Sequence, residues 1–516
     1  MKIRNITTEQ PEFLDIKKWY EQNLHPDANN YDDQKTFDVY KGEAFPGIFQ
    51  LTSKGAQRLF RQAEPKSIVD IAVLTSIYRP GPLAANVDKI YLKAKKGEKF
   101  EWGHPLFEKV LGETYNCLIF QESVMELAEI IGLFPKDQCD NVRRAIMKRD
   151  LSKGEAAMAE AKKMEDQFVD GAVNQGIKEE TARQAYQNIL FYSSYGFNKS
   201  HAIAYAIDSY MCAWLLTHYE KEWLTTYLES MSNNPDDKAT AIGEIRKLGY
   251  KIVPIDVQYA GKGWTCIEGK KFMPSLLSCK GVGESAVEEL LSMRPITDFK
   301  DMFWNADGSW RPSKFNSKAL DALIKLGAFG SLDVVGSGKL FRSYKHMHDV
   351  MIVHKDEIKK VSKRDQYQGY NNFLRLIDEY AQKYDAEELP GEWTKRELAD
   401  FQAEILGTVD VRMIIDDEIW GTLETKGIKS VDELEQGEKE VVWFVVNGSN
   451  LKRTKTGKEF LSAEVMGSKS KIERMNIWGW KSDKNVIKNL TLCIAEVEKN
   501  DFGASTTSWK LKTLGE

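Results

Sequence analysis

The sequence has little that would mark a secreted, membrane-spanning or zinc-binding protein. Six cysteines are scattered through 516 residues without a CxxC pair or a CxxC…HxxxH spacing, which argues against a zinc site and a disulfide framework and indicates a reducing compartment. No apolar run reaches the roughly 18 to 20 residues of a membrane span, and the opening MKIRNITTEQPEF lacks the apolar core of a signal peptide. These absences predict a soluble protein of the cytoplasm.

A large excess of charge of one sign is also absent. Lys and Arg total 72 against 77 Asp and Glu, a net charge of −5, which excludes a uniformly basic coat on nucleic acid but allows local basic patches. Hydrophobic residues make up 42% of the chain, with 13 Trp, 20 Tyr and 23 Phe, so a disordered or fibrous protein is excluded. At roughly 150 residues per domain, the length predicts three or four domains.

Periodicity predicts an α+β multidomain fold. Residues 1–260 have a mainly helical pattern, including two solvent-facing helices between Asp150 and Asn188 that separate near Gly176. Residues 261–335 are richer in Gly and turns, and residues 336–435 contain a charged segment predicted to be helical and exposed, roughly His346 to Asp400. Residues 436–516 hold β-rich segments such as VVWFVV and LTLCIAEVE, with turns at NGSN, KTGK and KSDKN. They predict a small β-barrel of the OB-fold type.

Arg79 stands at the entry of a rigid turn, Pro80-Gly81-Pro82, within IYRPGPLAAN. Each proline fixes φ and the glycine supplies a free position, so the turn would hold the guanidinium ready for a phosphate or a carboxylate. The alternative is an interhelix turn with a surface arginine.

Four cations stand within seven residues of DNVRRAIMKRD. On a helix, Arg144 and Lys148 share one face, and with Arg143 and Arg149 they form a ridge opposite the apolar side chains. Arginine binds phosphate oxygens bidentately and lysine adds a point charge. The alternative is a solvated helix face, and the argument against it is that few anions stand nearby to neutralise the ridge.

The segment YGFNKSHAIAYA places a helix start beside Lys199 and His201. Gly196 ends the preceding helix, and Asn198 or Ser200 can cap the next one. Free backbone N–H groups and the helix dipole attract phosphate at such a start. His201 could instead be a packing histidine.

The segment CKGVGESAVEELL, with Lys280, Gly281 and Gly283, enters an amphipathic helix. This pattern is typical of a helix-hairpin-helix, whose backbone amides bind DNA phosphate without reading the base sequence. KALDALIKLGAFGSL, from Lys318 to Leu332, is the candidate partner hairpin. A dinucleotide-binding fold would need a strand before the glycines, and none is predicted there.

The barrel segment combines cations with tryptophans. One hairpin carries Lys452, Arg453, Lys455 and Lys458, and the strands carry Trp443, Trp478 and Trp480. Cations with stacking rings are typical of single-stranded nucleic-acid binding. The alternative is that the tryptophans fill the barrel interior, Trp443 above all.

Together these motifs resemble one family, the alpha subunit of bacterial DNA polymerase III, a family C replicative polymerase. The matching stretches keep the family's order over about residues 40 to 335, with weaker similarity onward: GIFQLTSKGAQRL, IYRPGPL, ETYNCLIFQESVMELAEIIG, NVRRAIMKR, YGFNKSHAIAYA, KGVGE, LIKLGAFGSL and EILGTVD. The resemblance implies a DNA-directed DNA polymerase in the cytoplasm of a bacterial or phage-infected cell.

The resemblance also implies roles for each part. Residues 1–260 would be the fingers, 261–335 a tandem helix-hairpin-helix, 336–435 a connecting region and 436–516 a barrel near the single-stranded template. The dNTP triphosphate would contact Arg79, Arg143, Arg144, Lys148, Asn198, Lys199, Ser200 and His201. Primer-template DNA would contact Lys280, Gly281, Gly283, Arg149, Lys452, Arg453, Lys455 and Lys458.

The chain departs from the family where the catalytic carboxylates are expected. The palm's PDxDxD-like strand and FDFLGL-like segment have no counterpart, and those aspartates hold the Mg²⁺ ions of two-metal nucleotidyl transfer. No catalytic or metal-binding residue is therefore expected in this chain, and Mg²⁺ would be bound mainly by a separate palm half. The family's clamp-binding peptide also has no clean copy, since QGYNNFL (Gln368 to Leu374) is a poor candidate for a sliding-clamp site.

Two hypotheses follow. The first is the C-terminal half of a split polymerase, such as large phages carry, inactive without an N-terminal chain that brings the palm aspartates. Met1 directly at the fingers boundary motivates it, and it predicts a large apolar docking surface on residues 1–60. The second is a non-catalytic DNA-binding accessory protein derived from the polymerase, which binds DNA in a salt-dependent way without contributing to dNTP binding.

Overall fold

The computed structural model describes residue 18 and residues 31–98, 101–147, 155–193, 195–360, 365–407, 411, 415, 417–454, 456–468, 472–480, 486–500 and 503–514. The chain divides into two compact units, residues 1–223 and 224–516. The domain limits predicted at residues 260, 335 and 435 concern a finer division and stay predictions. Within the described residues, no helix combines the length and the apolar character needed to cross a membrane.

The described residues before 248 are mainly helical, as predicted. The helices are α1 (Gln34–Asp38), α2 (Lys54–Ala63), α3 (Ile68–Ile77), α4 (Pro80–Ala84), α5 (Val87–Lys95), α6 (Pro105–Leu111), α7 (Gln121–Ile130), α8 (Cys139–Met147), α9 (Glu155–Asn174), α10 (Glu179–Ser193), α11 (Lys199–His218), α12 (Glu220–Met231) and α13 (Pro235–Lys247).

Short polar side chains start the helices at the centre of the first unit. The Oγ of Ser53 accepts a hydrogen bond from the Ala56 amide at 3.2 Å, and the Oγ of Ser67 accepts one from the Asp70 amide at 3.1 Å. Each pairs an amide that the first helical turn leaves without a partner. Helix α3 is apolar on all sides, and residues 71–74 have no exposed surface. It packs on α11 in the core of this unit.

A buried ion pair joins the start of α3 to the end of α5. Oδ2 of Asp70 lies 2.7 Å from Nζ of Lys95, and the two side chains are 4% and 10% exposed. Asp70 also accepts hydrogen bonds from the Tyr91 hydroxyl at 2.9 Å and the Lys66 amide at 2.8 Å. Burial, with Asp70 beside it, raises the pKa of Tyr91 far above its ordinary value.

The predicted separation of two helices near Gly176 is confirmed by α9 and α10. Gly176 has a φ of +84°, in the left-handed region that favours glycine. The prediction that these helices face solvent is wrong for their inner sides, where Phe168 and Tyr186 are buried and their rings lie 5.4 Å apart. Apolar residues at helical spacing form a narrow buried stripe beneath the many charged residues.

The apolar docking surface predicted on residues 1–60 is not present in residues 31–60, the continuous part that the structure describes. Phe37, Tyr40 and Phe45 are almost fully buried there, and Phe49 is the large hydrophobic with notable exposure, at 37%. The apolar residues of this segment instead pack within the first unit, where the Tyr40 hydroxyl and the Ser209 Oγ are 3.0 Å apart.

The second unit opens with a small sheet and two hairpin helices. Strand β3 (Lys271–Met273) is central, parallel to β1 (Lys251–Ile252) and antiparallel to β2 (Thr265–Ile267). Helices α14 (Glu284–Ser292) and α15 (Ser317–Lys325) contribute to one apolar core beside it.

The carboxylate of Glu289 ties α14 to the turn that leads into α15. It accepts hydrogen bonds from the amides of Ser313 (2.8 Å), Lys314 (2.7 Å) and Phe315, and from the Ser313 hydroxyl (3.0 Å). Three successive amides therefore share one internal anion, and this contact fixes the spacing of the two hairpin helices.

The segment predicted to be helical and exposed near residues 346–400 is helical but not exposed throughout. Its helices are α16 (Tyr344–His348), α17 (Lys355–Ile358), α18 (Gln368–Asp385) and α19 (Lys395–Leu406), with a π-helical turn at Asp349–Val353, and α20 (Asp417–Thr425) follows. Phe373 and Leu376 of α18 are buried in the core that the hairpin helices share. The charges that suggested exposure lie on the outer faces only.

The predicted barrel is confirmed as a closed five-stranded sheet. Its strands are β4 (Lys439–Arg453), β5 (Glu459–Met466), β6 (Ile472–Trp478), β7 (Thr491–Asn500) and β8 (Gly503–Thr507), with β9 (Leu511–Leu514) added beyond β7. The order is β4-β5-β6-β8-β7, and β4 also pairs with β7, which closes the ring. Strands β6 and β8 are parallel and the other neighbours antiparallel, as in an OB-like Greek-key barrel.

The prediction of a turn at NGSN is wrong, because β4 continues through residues 447–450. The register shifts between Val446 and Gly448, so these residues form a bulge. A bulge bends a strand, and here it lets β4 pair with β7 through its first half and with β5 through its second half. The turn at KTGK separates β4 from β5 as predicted, while KSDKN lies outside the described residues.

Candidate nucleic-acid interface

Arg79 is held at the loop before α11, and the structure does not leave it as a free surface arginine. Its Nη2 donates to the Tyr195 carbonyl at 3.0 Å, its Nε donates to the Ser76 carbonyl at 2.7 Å, and its guanidinium lies 4.4 Å from the centre of the Phe197 ring. Burial lowers the pKa of Arg79, although an arginine stays charged. Among the described residues, no carboxylate pairs with it.

The turn at Pro80 positions this guanidinium, as the sequence predicted. Arg79 is the N-cap residue of α4, and Pro80 is the first residue of that helix. Proline lacks a backbone N–H, and at this position the N–H would have no partner within the helix. A side chain at Gly81 would approach the Tyr195 ring to 3.1 Å, so glycine allows α4 to lie close to the loop.

Gln121 connects this loop to the cationic ridge, and the sequence did not single it out. Its amide N–H donates to the Phe197 carbonyl at 2.9 Å, its Nε2 donates to the Gly196 carbonyl at 3.1 Å, and its Oε1 accepts from Nη1 of Arg143 at 3.0 Å. Its one sequence signal is a polar residue directly after the apolar run CLIF.

The structure places Arg143 and Arg144 on α8 above a shared carboxylate. Asp140 accepts from Nε and Nη2 of Arg143 at 2.9 and 2.7 Å, and its other oxygen lies 2.7 Å from Nη2 of Arg144. Arg143 is 19% exposed and Arg144 is 61% exposed. Hydrogen bonding from Arg143 lowers the pKa of Asp140.

The expectation that few anions lie near the ridge is therefore wrong for these two arginines, because Asp140 is one helical turn away from both. Val142 and Ile146 are buried on the opposite side of α8, as predicted. Lys148 and Arg149 lie outside the described residues.

The start of α11 is capped as the sequence predicted. Oδ1 of Asn198 accepts from the His201 amide at 2.8 Å and from the Ser200 hydroxyl at 2.7 Å. The His201 side chain is exposed, and its ring lies 4.2 Å from that of Tyr205 and 5.5 Å from that of Phe197. His201 thus packs on one aromatic neighbour at each side and keeps a surface open to a ligand.

A carboxylate occupies the position where the sequence analysis expected an anionic ligand. Oε2 of Glu122 accepts from the Lys199 amide at 2.8 Å, and its Oε1 accepts from Nδ2 of Asn198 at 3.0 Å. Nζ of Lys199 is paired with Glu113. A phosphate that binds this helix start must therefore displace or share internal carboxylates.

Taken together, Arg79, Arg143 and the α11 start meet at the loop of residues 195–198. These groups lie far apart along the chain, and hydrogen bonds through Gln121 and the loop carbonyls bring them together. Arg79 keeps an uncompensated charge among the described residues, while Arg143, Arg144 and Lys199 each have a carboxylate partner.

The hairpin before α14 is built as predicted. Gly281 has a φ of +100°, which requires glycine, and a side chain there would meet the aliphatic part of Lys318 at 3.3 Å. Gly283 caps α14 without a side chain, and the space where a Cβ would lie is open. Lys280 is exposed beside it. Lys318, a cation that the sequence analysis did not assign to DNA, therefore lies next to Gly281.

The barrel exposes a smaller aromatic surface than the sequence suggested. Trp480 is buried in the barrel core, as the interior alternative predicted. That alternative is wrong for Trp443, which is buried outside the barrel core in a second cluster, where its ring lies 5.6 Å from that of Trp420. Trp478 is 37% exposed, and its ring lies 4.8 Å from that of Phe460. Lys452, Phe460 and Trp478 are neighbours in register across β4, β5 and β6.

The cations of the barrel hairpin differ in their partners. Arg453 is paired with Glu459 at 2.7 Å, Lys458 is exposed, and Lys455 lies outside the described residues. Trp509 is 74% exposed and lies against Gly479, at the end of β6. Sequence reasoning missed Phe460 and Trp509 because strand pairing, not spacing, brings them to this surface.

The segment QGYNNFL forms the first turns of α18, and Phe373 within it has no exposed surface. Its hydrophobic side chain is therefore part of the core in this structure. Across the described residues, no group of three or more His, Cys, Asp or Glu side chains is arranged to hold a metal ion.

Comparison with known proteins agrees with this geometry. A family model of the bacterial DNA polymerase III alpha subunit finger domain matches residues 12–176, and a model of the helix-hairpin-helix motif matches residues 249–336. The second match contains the hairpin glycines and α15.

Curated relatives carry the name DNA polymerase III subunit alpha. The Campylobacter jejuni protein is 35% identical over 318 residues, 61% of this chain and 26% of the relative. The Aquifex aeolicus protein is 35% identical over 303 residues (58% and 25%), and the Escherichia coli K12 protein is 28% identical over 307 residues (58% and 26%). The matched region thus spans about a quarter of the length of these relatives. On these matches, the chain carries the finger domain and the helix-hairpin-helix motif of the bacterial DNA polymerase III alpha subunit and is a relative of that part of it.

Proposed function

We propose that this chain supplies the dNTP and primer-template binding part of a replicative DNA-directed DNA polymerase, while a separate palm-bearing chain supplies the carboxylates that hold Mg²⁺. The observation that carries the proposal is the meeting of Arg79, Arg143 and the α11 start at one loop, in the unit that contains the matched finger domain. Guanidinium groups and a capped helix start are suited to the several charged oxygens of a triphosphate. The hairpin and the barrel surface offer phosphate and base contacts to DNA.

Primer extension tests this division of labour. The chain is incubated with primer-template, dNTPs and Mg²⁺, first alone and then with a palm-bearing chain of the same family. Extension in the mixture only is the expected result. Extension by this chain alone would show that it holds its own catalytic carboxylates. DNA binding without extension in either reaction would favour the accessory-protein alternative.

Replacing Arg144 with alanine separates the two alternatives by a binding measurement. Arg144 is exposed, so the substitution should leave the fold intact and weaken dNTP binding, because a charged donor to phosphate oxygens is removed. Arg183→Ala is the matched control, since Arg183 is also a partly exposed arginine paired with carboxylates, Glu179 and Asp166. If Arg144→Ala weakens only DNA binding and retains dNTP affinity, the polymerase proposal fails.

Replacing Asp140 with asparagine should have the opposite effect. The change removes the carboxylate that neutralises Arg143 and Arg144, so triphosphate affinity is expected to rise about two- to fivefold at low salt, the range of a surface ion pair, and less at high salt. Fluorescence titration with a labelled dNTP measures it. Unchanged or weaker affinity would mean that the carboxylate does not compete with the ligand.

A sliding clamp is a further partner in this proposal, tested by co-elution of the chain with a bacterial clamp. The buried Phe373 means that QGYNNFL would have to unfold locally to serve as the binding peptide, so Phe373→Ala also reports on the core.

A further inference from the structure

The connection between the two hairpin helices concentrates positive charge. We call residues 311–318 the cationic loop, because Arg311, Lys314 and Lys318 give it three cations in eight residues. All three side chains are exposed, and among the described residues none of them has a carboxylate within ion-pair distance. Residues 311–317 lie between the two segments that the sequence predicts as hairpins, so most of this charge is separate from either hairpin.

Hydrogen bonds hold the backbone of the cationic loop at both ends and in its middle. The Arg311 amide donates to the Phe303 carbonyl at 2.8 Å, and Glu289 accepts from three successive amides of the loop. At the other end, Oδ1 of Asn316 accepts from the Lys318 amide at 3.0 Å. The cations therefore project from a fixed backbone, which reduces the entropy that is lost when they bind a ligand.

Lys359 brings a further cation to the start of α15. Its Nζ donates to the Ser317 hydroxyl at 2.9 Å and lies 4.9 Å from the centre of the Trp310 ring. The side chain is partly buried, and burial lowers the pKa of Lys359, in the same direction as Lys355 and against the effect of Asp356. A cation that is partly removed from water without an ion pair is unfavourable, so a bound anion would compensate it.

The cationic loop is continuous with the first hairpin. The aliphatic part of Lys318 would lie 3.3 Å from a Cβ at Gly281, and Lys280, beside that glycine, is exposed. The loop, Lys280 and Lys359 therefore form one surface.

This surface keeps an excess of positive charge. In the part of the chain that the structure describes, five of its cations have no carboxylate within ion-pair distance: Lys280, Arg311, Lys314, Lys318 and Lys359. Two carboxylates, Glu289 and Asp356, oppose them. On the hairpin helices, Glu284 and Glu288 share Lys262, and Asp321 pairs with Lys325. These neighbours add one negative charge at most, so the excess remains.

We propose that the cationic loop, with Lys280 and Lys359, binds successive phosphates of a DNA backbone next to the first hairpin. Lysine and arginine are suited to phosphate oxygens, and cations spread along an exposed surface fit a chain of phosphates better than a single mononucleotide. Such contacts position DNA without reading its sequence. The choice of DNA rests on the proposed function and on the hairpin beside the loop; an acidic protein is the alternative partner.

The test uses the full chain and three variants. K314M/K318M removes two cations of the loop, and methionine keeps the aliphatic packing near Gly281. K359M removes the partly buried cation. K251M/K271M is the matched control, because it removes two exposed lysines of the small sheet in the same unit. Fluorescence anisotropy measures the binding of labelled primer-template and of labelled polyglutamate over a range of salt concentrations, and thermal melts check folding.

For primer-template, K314M/K318M is expected to lower the slope of log affinity against log salt by about two, one for each phosphate that is no longer neutralised. K359M should lower it by about one, without a lower melting temperature, because burial penalises the charge that it removes. K251M/K271M should keep the wild-type slope.

Other outcomes overturn the proposal in distinguishable ways. If K314M/K318M keeps the wild-type slope, the cationic loop is not a DNA contact, while primer-template binding by the wild type leaves the proposed function intact. If K314M/K318M instead loses polyglutamate binding at an unchanged DNA slope, the surface belongs to an acidic protein. A wild-type chain that binds no primer-template overturns both this proposal and the proposed function.

Discussion

Replacing Asp70 with asparagine is expected to destabilise the first unit by about 3–5 kcal/mol, the usual cost of removing one partner of a buried ion pair. Asn keeps the shape of the side chain but leaves Lys95 as a buried charge without compensation. It also replaces one acceptor oxygen by an amide group that faces the Tyr91 hydroxyl or the Lys66 amide. Native-state hydrogen exchange along α3 and α5 measures the destabilisation where it occurs.

Two further variants make this result specific. Asp38→Asn is the matched control, because Asp38 pairs with Lys41 at the surface, where both side chains are more than 40% exposed, and such pairs contribute little. The double variant Asp70→Asn/Lys95→Met removes both charges and should recover part of the stability, since a buried pair can be replaced by neutral groups at small cost. Equal exchange rates in Asp70→Asn and Asp38→Asn would show that the buried pair is not important for stability.

Replacing Glu289 with glutamine is expected to cost the second unit about 2–3 kcal/mol at pH 7, because hydrogen bonds to a charged group are stronger than neutral ones. The glutamine amide can accept with one oxygen, but its NH₂ then faces donor groups of residues 313–315. Urea unfolding and hydrogen exchange at these amides report the change. Glu288→Gln is the neighbouring control, since Glu288 makes a surface pair with Lys262 at 2.7 Å.

The loss of stability caused by Glu289→Gln should depend on pH in a defined direction. Burial by itself would raise the pKa of Glu289, but hydrogen bonds from the Phe315, Ser313 and Lys314 amides outweigh it and hold the pKa below its ordinary value of 4.5. A lowered pKa in the folded state gives stability that is fully present above about pH 4.5 and is lost as the pH falls through the folded-state value. The difference between wild type and Glu289→Gln should therefore be constant near neutral pH and shrink once the pH falls below the ordinary value. A difference that stays constant through strongly acidic pH would contradict this account.

Local sequence signals predicted most of the elements. The cap at Asn198, the proline at the start of α4 and the left-handed glycines at 176 and 281 each act within one or two turns of chain, and each is in place. The barrel followed from strand period and composition. The prediction of a turn at NGSN failed because Gly and Asn are also common in a bulge. Only the pairing of β4 with two partner strands decides between a turn and a bulge.

Long-range contacts account for what the sequence could not predict. Gln121 joins the loop to Arg143: it is 22 residues from Arg143 and 75 residues from Gly196 along the chain. No periodic pattern in the sequence distinguishes Gln121 from its neighbours. Trp478 ends β6 and Trp480 follows Gly479, whose φ is +75°, so the exposure of the first ring and the burial of the second depend on the turn that ends the strand. The sequence shows Glu113 and Glu122 but not that they lie near Lys199. Glu122 reaches the loop from the first turn of α7, and Glu113 reaches the Lys199 ammonium from the turn at residues 112–114.

If this site binds a triphosphate as proposed, the nearby carboxylates affect how fast the ligand arrives, because Asp140 and Glu113 pair with the cations and Glu122 accepts from the Lys199 amide. Long-range attraction depends on net charge, and close ion pairs cancel most of the field beyond the Debye length of about 8 Å at physiological salt. Arg79 keeps an unpaired charge at the loop and the Glu122 carboxylate opposes it, so an incoming triphosphate would meet only weak electrostatic steering until it touches the loop. Capture would then proceed at a rate that varies weakly with ionic strength, and the selectivity of the site would arise after contact, when substrate oxygens replace the protein's own carboxylates.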